Sequence, residues 1–504
     1  MSLIQVTDLS FTYDGSPSPV FERVSFQIDT DWKLGFTGRN GRGKTTFLNL
    51  LMNRYKYTGT IISNVVFDYF PFSVPDEELD TLEILDSILG EYPFWELKRE
   101  LSKLKVSEDV LYRPFSTLSN GERTKILLAA LFLREGHFLL IDEPTNHLDR
   151  EARELVSRYL NSKKGFILVS HDRKFLDASV DHILSINKTD VQVQKGNFSS
   201  WYENKQRQDQ FERSENDRLK KDIRHLEAAA RQSGEWADQV ESTKIGKKSM
   251  MQEKSIDTRA YIGEKSRRMQ MRRKNLEHRQ DSAIEDKKGL LKNIEEAEDL
   301  KLYPLKYRSS RILTLKDVVP YYESPVCEPV SFTLEQGQRI SLQGKNGCGK
   351  SSILKLILGR DVTGESLSYE GDKEVSSGLK ISYVSQDTSF LKGGLTEYAR
   401  ESGIDDPLFK ALLRKLDFSR EQFDKPMESY SEGQKKKVLI ARSLCEQAHL
   451  YIWDEPLNFI DVYSRIQIED LILKFQPTML LVEHDEAFTG RVATGVMEIH
   501  DNRE

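Results

Sequence analysis

The stretch that decides the fold is Gly38-Arg39-Asn40-Gly41-Arg42-Gly43-Lys44-Thr45, followed by Thr46. It fits the pattern G-x-x-x-x-G-K-[ST], in which glycines let bare backbone N–H groups close around phosphate oxygens at the N-terminus of a helix. In this pattern the lysine reaches the outer phosphates and the hydroxyl of Thr45 binds Mg²⁺. The stretch therefore predicts a strand, a phosphate loop and a helix that together hold a nucleotide.

The same stretch occurs again 306 residues later. The second copy is Gly344-Lys345-Asn346-Gly347-Cys348-Gly349-Lys350-Ser351, followed by Ser352. Three later motifs also recur, at offsets of 312, 312 and 313. These pairs are Leu118-Ser119-Asn120-Gly121-Glu122 with Tyr430-Ser431-Glu432-Gly433-Gln434, Asp142-Glu143-Pro144 with Asp454-Glu455-Pro456, and His171 with His484. Since the order and the offsets are nearly constant, we predict two copies of one domain.

Short apolar runs surround these motifs. Leu34–Thr37 and Ile340–Gln343 lead into the two phosphate loops, and residues 138–141 and 450–453 lead into the two acid pairs. Such runs, alternating with helical patterns, are typical of buried parallel strands. The predicted fold class is therefore α/β, with the site at the carboxyl edge of each sheet.

The acid pairs and the histidines carry the predicted chemistry. Asp142 and Asp454 would hold Mg²⁺ at the strand ends, while Glu143 and Glu455 would orient and deprotonate the attacking water. His171 and His484, each after an apolar strand, are candidates for contact with the terminal phosphate. An acid pair or a histidine after a strand often lies in a solvated loop and has no catalytic role. Here both features occur at matched positions in the two copies, which favours a role in catalysis.

Composition limits the other possibilities. The chain has 504 residues, a net charge of -6 and a mean hydropathy of -0.55. No apolar run approaches the roughly 18 residues of a membrane span, and no secretory signal is visible at the start. The three cysteines are isolated, which argues against disulfides or zinc ligation and favours the cytoplasm.

Taken together, the motifs resemble those of tandem ATP-binding-cassette (ABC) ATPases. In that family the cassettes face each other head to tail, so that each phosphate loop is capped by the signature of the other cassette. The resemblance implies site one, which combines residues 38–46, Asp142, Glu143 and His171 with Ser431 and Gly433. It likewise implies site two, which combines residues 344–352, Asp454, Glu455 and His484 with Ser119 and Gly121. ATP and Mg²⁺ are the implied cofactors.

The resemblance extends to adenine and magnesium contacts, with one departure. Tyr13 and Tyr322 resemble the aromatic residue that stacks on adenine, although Tyr321 adjoins the latter. Gln386 fits the family's Mg²⁺-contacting glutamine, but the first cassette offers Phe72 at the corresponding position. We therefore expect two hydrolysis-capable but inequivalent sites.

The segment between the repeats has a helical pattern. Residues 201–303 contain no proline, and Leu219, Ile223, Leu226 and Ala230 recur at spacings of four, three and four. A second stripe lies within residues 276–294. We predict a long α-helical hairpin linker over residues 201–305, with its tip at about 234–256, between an ABC domain at 1–200 and another at 306–504.

The linker is also strongly basic. Residues 244–279 contain 12 Lys and Arg against four Asp and Glu, which leaves the rest of the chain clearly acidic. Clustered cations with apolar neighbours are typical of surfaces that bind folded RNA. A run of charged residues on a helix can also be a solvent-exposed surface without a partner. The candidate contacts are Trp236, Lys244, Ile245, Lys247, Lys248, Met250, Met251, Lys254, Arg267, Arg268, Arg272, Arg273 and Lys274.

An insert between two complete cassettes resembles the ABC-F family, whose members act on the ribosome. Residues 196–202 look like that family's entry into the linker. Only 73 positions separate Thr45 from Leu118, which leaves little room for the added arm of some housekeeping members. The long linker resembles the Lsa/Vga/Vml-type antibiotic-resistance (ribosome protection) proteins.

The resemblance implies the bacterial ribosome as partner, through 23S rRNA and P-site tRNA, and a monomer without membrane or DNA partners. The expected function is displacement of lincosamide, pleuromutilin or streptogramin A drugs from the peptidyl-transferase centre. Three alternatives remain: a housekeeping translation factor, the ATPase of a transporter, and a DNA-maintenance ATPase.

Overall fold

The computed structural model describes residues 2–501, apart from 15–18, 73, 75, 135, 147, 187–190, 243–300, 323 and 360–366. The chain divides into two compact units. The first contains residues 1–201 and 297–504, and therefore both repeats; the second spans residues 202–296.

The first repeat alternates strands and helices. Its strands are β1 (Leu3–Phe11), β2 (Phe21–Asp29), β3 (Lys33–Thr37), β4 (Thr58–Ile62), β5 (Val66–Phe70), β6 (His137–Asp142), β7 (Phe166–Val169), β8 (His182–Ile186) and β9 (Val191–Lys195). Its helices are α1 (Lys44–Leu51), α2 (Thr81–Leu89), α3 (Phe94–Lys103), α4 (Asn120–Leu131), α5 (Arg150–Asn161) and α6 (Arg173–Ser179). Short 3-10 helices cover Glu108–Tyr112 and Phe115–Thr117.

Two sheets form this repeat. The central sheet has the order β5-β6-β7-β3-β8-β9, in which only the β8/β9 pair is antiparallel. An antiparallel sheet of order β2-β1-β4 shares a core with it, in which Phe36, Phe47 and Leu140 are almost fully buried. Strands β6 and β7 are buried along nearly their whole length, as the continuous apolar runs predict.

The second repeat follows the same plan. Its strands are β10 (Arg311–Tyr321), β11 (Val330–Glu335), β12 (Arg339–Gln343), β13 (Ser368–Val375), β14 (Ile381–Val384), β15 (Leu450–Asp454), β16 (Met479–Val482) and β17 (Gly495–Glu498). Its helices are α8 (Lys350–Leu358), α9 (Leu395–Glu401), α10 (Asp406–Lys415), α11 (Glu432–Cys445), α12 (Val462–Phe475) and α13 (Glu486–Val492). Short 3-10 helices cover Arg420–Gln422 and Met427–Ser429.

The central sheet of this repeat is parallel, with the order β14-β15-β16-β12-β17. The smaller antiparallel sheet has the order β11-β10-β13. In both repeats the strand before the phosphate loop pairs with the strand that precedes the histidine. The phosphate loop, the acid pair and the histidine therefore follow adjacent strands at one sheet edge, and the predicted α/β fold is confirmed.

One helix begins in the first unit and continues into the linker. Helix α7 runs from Phe198 to Ser242, through Gly234. Ile223 is buried and Leu219 half-buried along this helix. The predicted second arm of the hairpin lies outside the described residues, so the tip at 234–256 stays a prediction. Among the described residues, no helix combines the length and apolar character needed to cross a membrane.

Candidate ATP sites

Both phosphate loops need glycine for steric reasons. Gly43 and Gly349 precede α1 and α8 with φ values of 91° and 97°. A Cβ at Gly43 would lie 2.5 Å from Val20 Cγ1, and one at Gly349 would lie 2.9 Å from Val326 Cγ1. Only glycine fits this left-handed, crowded backbone. Each loop thus leads backbone N–H groups to the start of a helix, where an anion is stabilised.

The two loop lysines are buried and turn back onto their own loops. Lys44 Nζ donates to the carbonyl of Gly38 at 2.7 Å, and Lys350 Nζ donates to that of Gly344 at 2.8 Å. Burial lowers the pKa of Lys44, against the opposing effect of nearby carboxylates, of which Asp461 of the second cassette is the strongest. These ammonium groups are held beside the place where phosphates would lie.

The acid pairs end strands β6 and β15, as expected. Thr45 Oγ1 donates to Asp142 Oδ2 at 3.0 Å, and the Asp454 carboxylate accepts a hydrogen bond from Ser351. Asp454 is almost fully buried, yet its Oδ1 has no hydrogen-bond partner among the described residues. A hydroxyl and a carboxylate are hard oxygen ligands of the kind that Mg²⁺ prefers, so these donor pairs fit a magnesium ion that also binds phosphate.

Each catalytic glutamate candidate lies beside the predicted histidine. His171 Nε2 is 3.2 Å from Glu143 Oε1, and His484 Nε2 is 3.5 Å from Glu455 Oε1. Both glutamates have positive φ, 51° for Glu143 and 46° for Glu455. A strained backbone at this position is typical of functional sites, because the surrounding structure must hold it.

The two glutamates differ in their electrostatic surroundings. Burial, and then the neighbouring Asp142, raise the pKa of Glu143 to about 8. Burial is the largest single effect on Glu455 as well and raises its pKa, but the hydrogen bond and charge of His484, together with the charges of Lys436 and Lys350, lower the pKa of Glu455 below its ordinary value. Burial and the charge of Lys44 lower the pKa of His171 well below its usual range. Without nucleotide, Glu455 is therefore ionised at neutral pH, whereas Glu143 favours its protonated form.

The two cassettes also differ in structure at the position where the second has Gln386 and the first has Phe72. Gln386 Nε2 donates to Glu455 Oε2 at 2.9 Å, and Asn458 Nδ2 donates to the same oxygen at 2.7 Å. In the first cassette Tyr69, near the end of β5, donates its hydroxyl to Asp142 Oδ2 at 3.0 Å. Tyr69 was not predicted as a site residue. The signal available in the sequence is its place in the strand that pairs with β6, three residues before Phe72.

The signatures are helix N-caps. Ser119 caps α4 in a capping box with Glu122, and Ser431 caps α11 in a capping box with Gln434. Each serine side chain accepts the backbone N–H of the third helical residue at 3.3 Å. The helix N-terminus at each signature is thereby fixed in direction, and its partial positive charge can act on an anion bound by the facing cassette.

Site one is built by direct contact between the cassettes. Arg39 of the first phosphate loop forms an ion pair with Asp417, and its guanidinium lies 5.7 Å from the ring centre of Tyr463. Asn40 Nδ2 donates to the carbonyl of Phe459 at 2.9 Å. A Cβ added to Gly433 would lie 2.5 Å from that same carbonyl. The first phosphate loop is therefore packed against the second signature.

Site two instead contains a large cavity. Its volume is about 1580 Å³, and it is lined by parts of both cassettes. From the second cassette come residues of the phosphate loop with Tyr322, Gln386, Glu455 and His484. The facing wall includes Ser119, Gly121 and Lys105 of the first cassette. Most predicted members of site two thus line one space that is large enough for a nucleotide, whereas Asp454, Gly344, Lys345 and Cys348 are not part of its lining.

The remaining predicted contacts divide into two groups. Tyr13 lies next to its phosphate loop, with its hydroxyl 2.6 Å from Thr46 Oγ1, and is 42% exposed. A tyrosine so placed is accessible to a base. The predicted RNA contacts from Lys244 to Lys274 lie outside the described residues. Trp236 belongs to α7, but its side chain is outside the description.

Comparison with known proteins agrees with this geometry. The sequence model of the ABC transporter family matches residues 21–146 and 327–458, half of the chain. The chain belongs to the ATP-binding-cassette family and is an ATPase with two cassettes in tandem.

Within this class the chain is similar to ABC-F proteins. It is 27% identical to the ribosome protection protein VmlR of Bacillus subtilis over 509 residues, which cover 99% of this chain and 87% of VmlR. It is 24% identical to ABC transporter F family member 2 of Arabidopsis thaliana, over 99% of this chain and 76% of that protein.

Solved structures show the same fold. The chain resembles the archaeal ribosome recycling factor aABCE1, in its complex with the stalk protein aP1, with a TM-score of 0.60 and 18% identity. That match covers 98% of this chain and 90% of the other. A structure of RNase-L Inhibitor matches with a TM-score of 0.59 and 19% identity, over 98% of this chain and 87% of that one.

Proposed function

We propose that this ABC-F ATPase binds the bacterial ribosome and protects it by dislodging antibiotics from the peptidyl-transferase centre. The observation that carries this proposal is that both ATP sites are shared between the cassettes of one chain, whose basic insert lies between complete cassettes. ATP binding would bring the cassettes together and thereby bias the position of the insert. The likeness to VmlR, a ribosome protection protein, supports the choice of partner.

In this proposal ATP lies between the phosphate loop of one cassette and the signature of the other. Lys44 and Lys350 would bind the outer phosphates, while Thr45 with Asp142, and Ser351 with Asp454 and Gln386, would hold Mg²⁺. Bound Mg²⁺ would neutralise charge on the phosphates. Glu143 and Glu455 would orient and deprotonate the attacking water, and His171 and His484 would fix those carboxylates.

The closed state is the working state in this scheme. ATP favours closure because it contacts both cassettes only when they are together, so that binding shifts the population toward that state. Hydrolysis removes those contacts and lets the protein leave its partner. The basic residues 244–279 would meet rRNA and P-site tRNA, and the apolar residues near Trp236 and Met251 would reach toward the drug. We place this activity in the cytoplasm, with the protein as a monomer.

A ribosome sedimentation experiment tests the proposal. The Glu143→Gln/Glu455→Gln double variant should close on ATP but not reopen, and should therefore co-sediment with 70S ribosomes when ATP is present. The matched control is Lys44→Ala/Lys350→Ala, which should fail to bind ATP and should remain in the supernatant. Absence of the Gln variant from the ribosome pellet would contradict the proposed partner.

Drug susceptibility separates protection from a housekeeping role. Expression of the intact protein in a sensitive bacterium should raise the inhibitory concentration of lincosamides, pleuromutilins or streptogramin A. The Glu143→Gln/Glu455→Gln variant should not. If ribosome binding is found but susceptibility to all three classes is unchanged, the protein is a translation factor and the protection proposal is wrong.

A further inference from the structure

Lys105 and Asp417 occupy equivalent positions in the two cassettes. Each lies 14 residues before the signature serine and two residues after the end of a matched helix, α3 or α10. Both have positive φ, 50° for Lys105 and 65° for Asp417. Their backbone N–H groups donate to matched carbonyls, that of Ser102 at 3.1 Å and that of Arg414 at 3.0 Å. The two side chains therefore start from equivalent backbone conformations.

Asp417 shows what this position can reach. Its carboxylate pairs with Arg39, the second residue of the phosphate loop across site one. Both side chains are largely removed from water, with exposures of 13% for Arg39 and 24% for Asp417. A side chain at this position therefore extends to the facing phosphate loop and joins the two cassettes without any nucleotide.

At site two the position equivalent to Asp417 is occupied by Lys105, so the charge at this position is positive instead of negative. The counterpart of Arg39 in the second phosphate loop is Lys345. Lys105 is exposed and lines the 1580 Å³ cavity together with Lys350, Asn346 and Gly347. Lys105 and Lys350 thus present two cations to one space, where an anion between them is stabilised. A polyphosphate is an anion of suitable charge.

We propose that Lys105 is an additional nucleotide-binding residue of site two, which contacts the phosphates of ATP when the cassettes close. Its counterpart Asp417 holds site one together by a protein–protein contact. The contact between Lys105 and the second phosphate loop then depends on nucleotide, whereas the Asp417–Arg39 contact of site one does not. The inference rests on the proposed function, in that it requires site two to bind ATP.

Nucleotide binding confined to site two tests the inference. In a Lys44→Ala background, which disables site one, the dissociation constant for a fluorescent ATP analogue would be measured in parallel with steady-state hydrolysis. Lys105→Ala should weaken ATP binding about tenfold, as expected for loss of one charge-assisted hydrogen bond to phosphate. KM for ATP should rise similarly, with kcat changed by less than about threefold because the residue does not touch the attacking water.

Two further variants distinguish phosphate binding from a general structural effect. Lys105→Arg keeps the cation and should bind ATP within about twofold of the parent. Lys103→Ala removes a nearby lysine that pairs with Glu100. Because Glu100 still pairs with Lys163 in this variant, ATP binding should be unchanged. A Lys105→Ala protein that binds ATP as tightly as the parent would overturn the role of Lys105. A parent that binds no ATP at site two would overturn the proposed ATP site itself.

Discussion

The two composite ATP sites share their motifs but differ in their state. At site one Arg39 and Asn40 contact Asp417 and the Phe459 carbonyl directly, so that the first phosphate loop meets the other cassette. At site two the corresponding surfaces line a cavity of about 1580 Å³. The repeated motifs therefore define where nucleotide binds, whereas the residues beside the motifs define how each site closes.

The two cassettes also differ in the burial of a matched lysine and aspartate. In the second cassette Lys437 donates to Asp461 at 3.0 Å, and both side chains are buried. In the first cassette the matched residues Lys125 and Asp149 line the cavity of site two. The lysine and aspartate thus form an interior ion pair in the second cassette, whereas the matched residues of the first cassette line an open cavity. Four pairs of matched residues test this difference.

Lys437→Met should destabilise the protein by about 3–5 kcal/mol, because it leaves the buried Asp461 carboxylate without its cation. Lys125→Met at the matched position should cost less than about 1 kcal/mol, since that lysine is partly exposed. Unfolding in urea, followed by tryptophan fluorescence, measures both. Similar losses in the two variants would show that the interiors of the two cassettes do not differ in this way.

Removal of the catalytic carboxylates should lower ATP turnover by different amounts at the two sites. The double variant Glu143→Gln/Glu455→Gln should lower ATP turnover about 100-fold or more, as expected for loss of a general base. Glu455→Gln alone should remove most of the steady-state rate, because site two is open to exchange and its glutamate is ionised. Glu143→Gln alone should retain more than half of it. The reverse order of the single variants would contradict the assignment of site two as the faster site.

A double-mutant cycle measures the contact across site one. The variants Arg39→Ala and Asp417→Ala, alone and together, should give a coupling energy of about 1 kcal/mol in unfolding experiments, because the pair is partly buried. The matched cycle of Lys345→Ala and Lys105→Ala should give a coupling energy near zero or of opposite sign. Equal coupling in the two cycles would remove the electrostatic distinction between the sites.

Tyr69→Phe should have the smallest effect. It removes the hydroxyl that donates to Asp142, while Thr45 still donates to the same oxygen. In a Glu455→Gln background, which leaves hydrolysis to site one, we expect the Mg²⁺ concentration for half-maximal rate to rise about threefold. Tyr383→Phe, the matched change in the second cassette, serves as the control in a Glu143→Gln background. An unchanged Mg²⁺ requirement in Tyr69→Phe would show that this hydroxyl has no part in metal binding.

Much of this arrangement is predictable from sequence. The apolar runs before Gly38 and Asp142 become parallel strands, and the spacing of the motifs defines two repeats of one domain. The signature serines also carry their own local explanation, since a serine followed three residues later by Glu or Gln is a capping box.

The contacts that distinguish the sites are not predictable in the same way. Arg39 and Asp417 are 378 positions apart, and neither belongs to the residues that define the motif patterns. Tyr69 reaches Asp142 only because β5 pairs with β6 in a register that no local pattern reveals. Such contacts depend on how complete cassettes pack, so their residues are visible only in the folded structure.

In our proposal the signature of site one is held to the facing phosphate loop by protein contacts, whereas that of site two is held by nucleotide. Distance measurements by electron spin resonance test it most directly, with spin labels at Asn49 and Arg414 across site one and at the matched positions Lys355 and Ser102 across site two. We predict a single short distance across site one that is the same with and without ATP. Across site two, ATP should shorten the distance in the Glu143→Gln/Glu455→Gln variant. Equal shortening at both sites on addition of ATP would contradict the account.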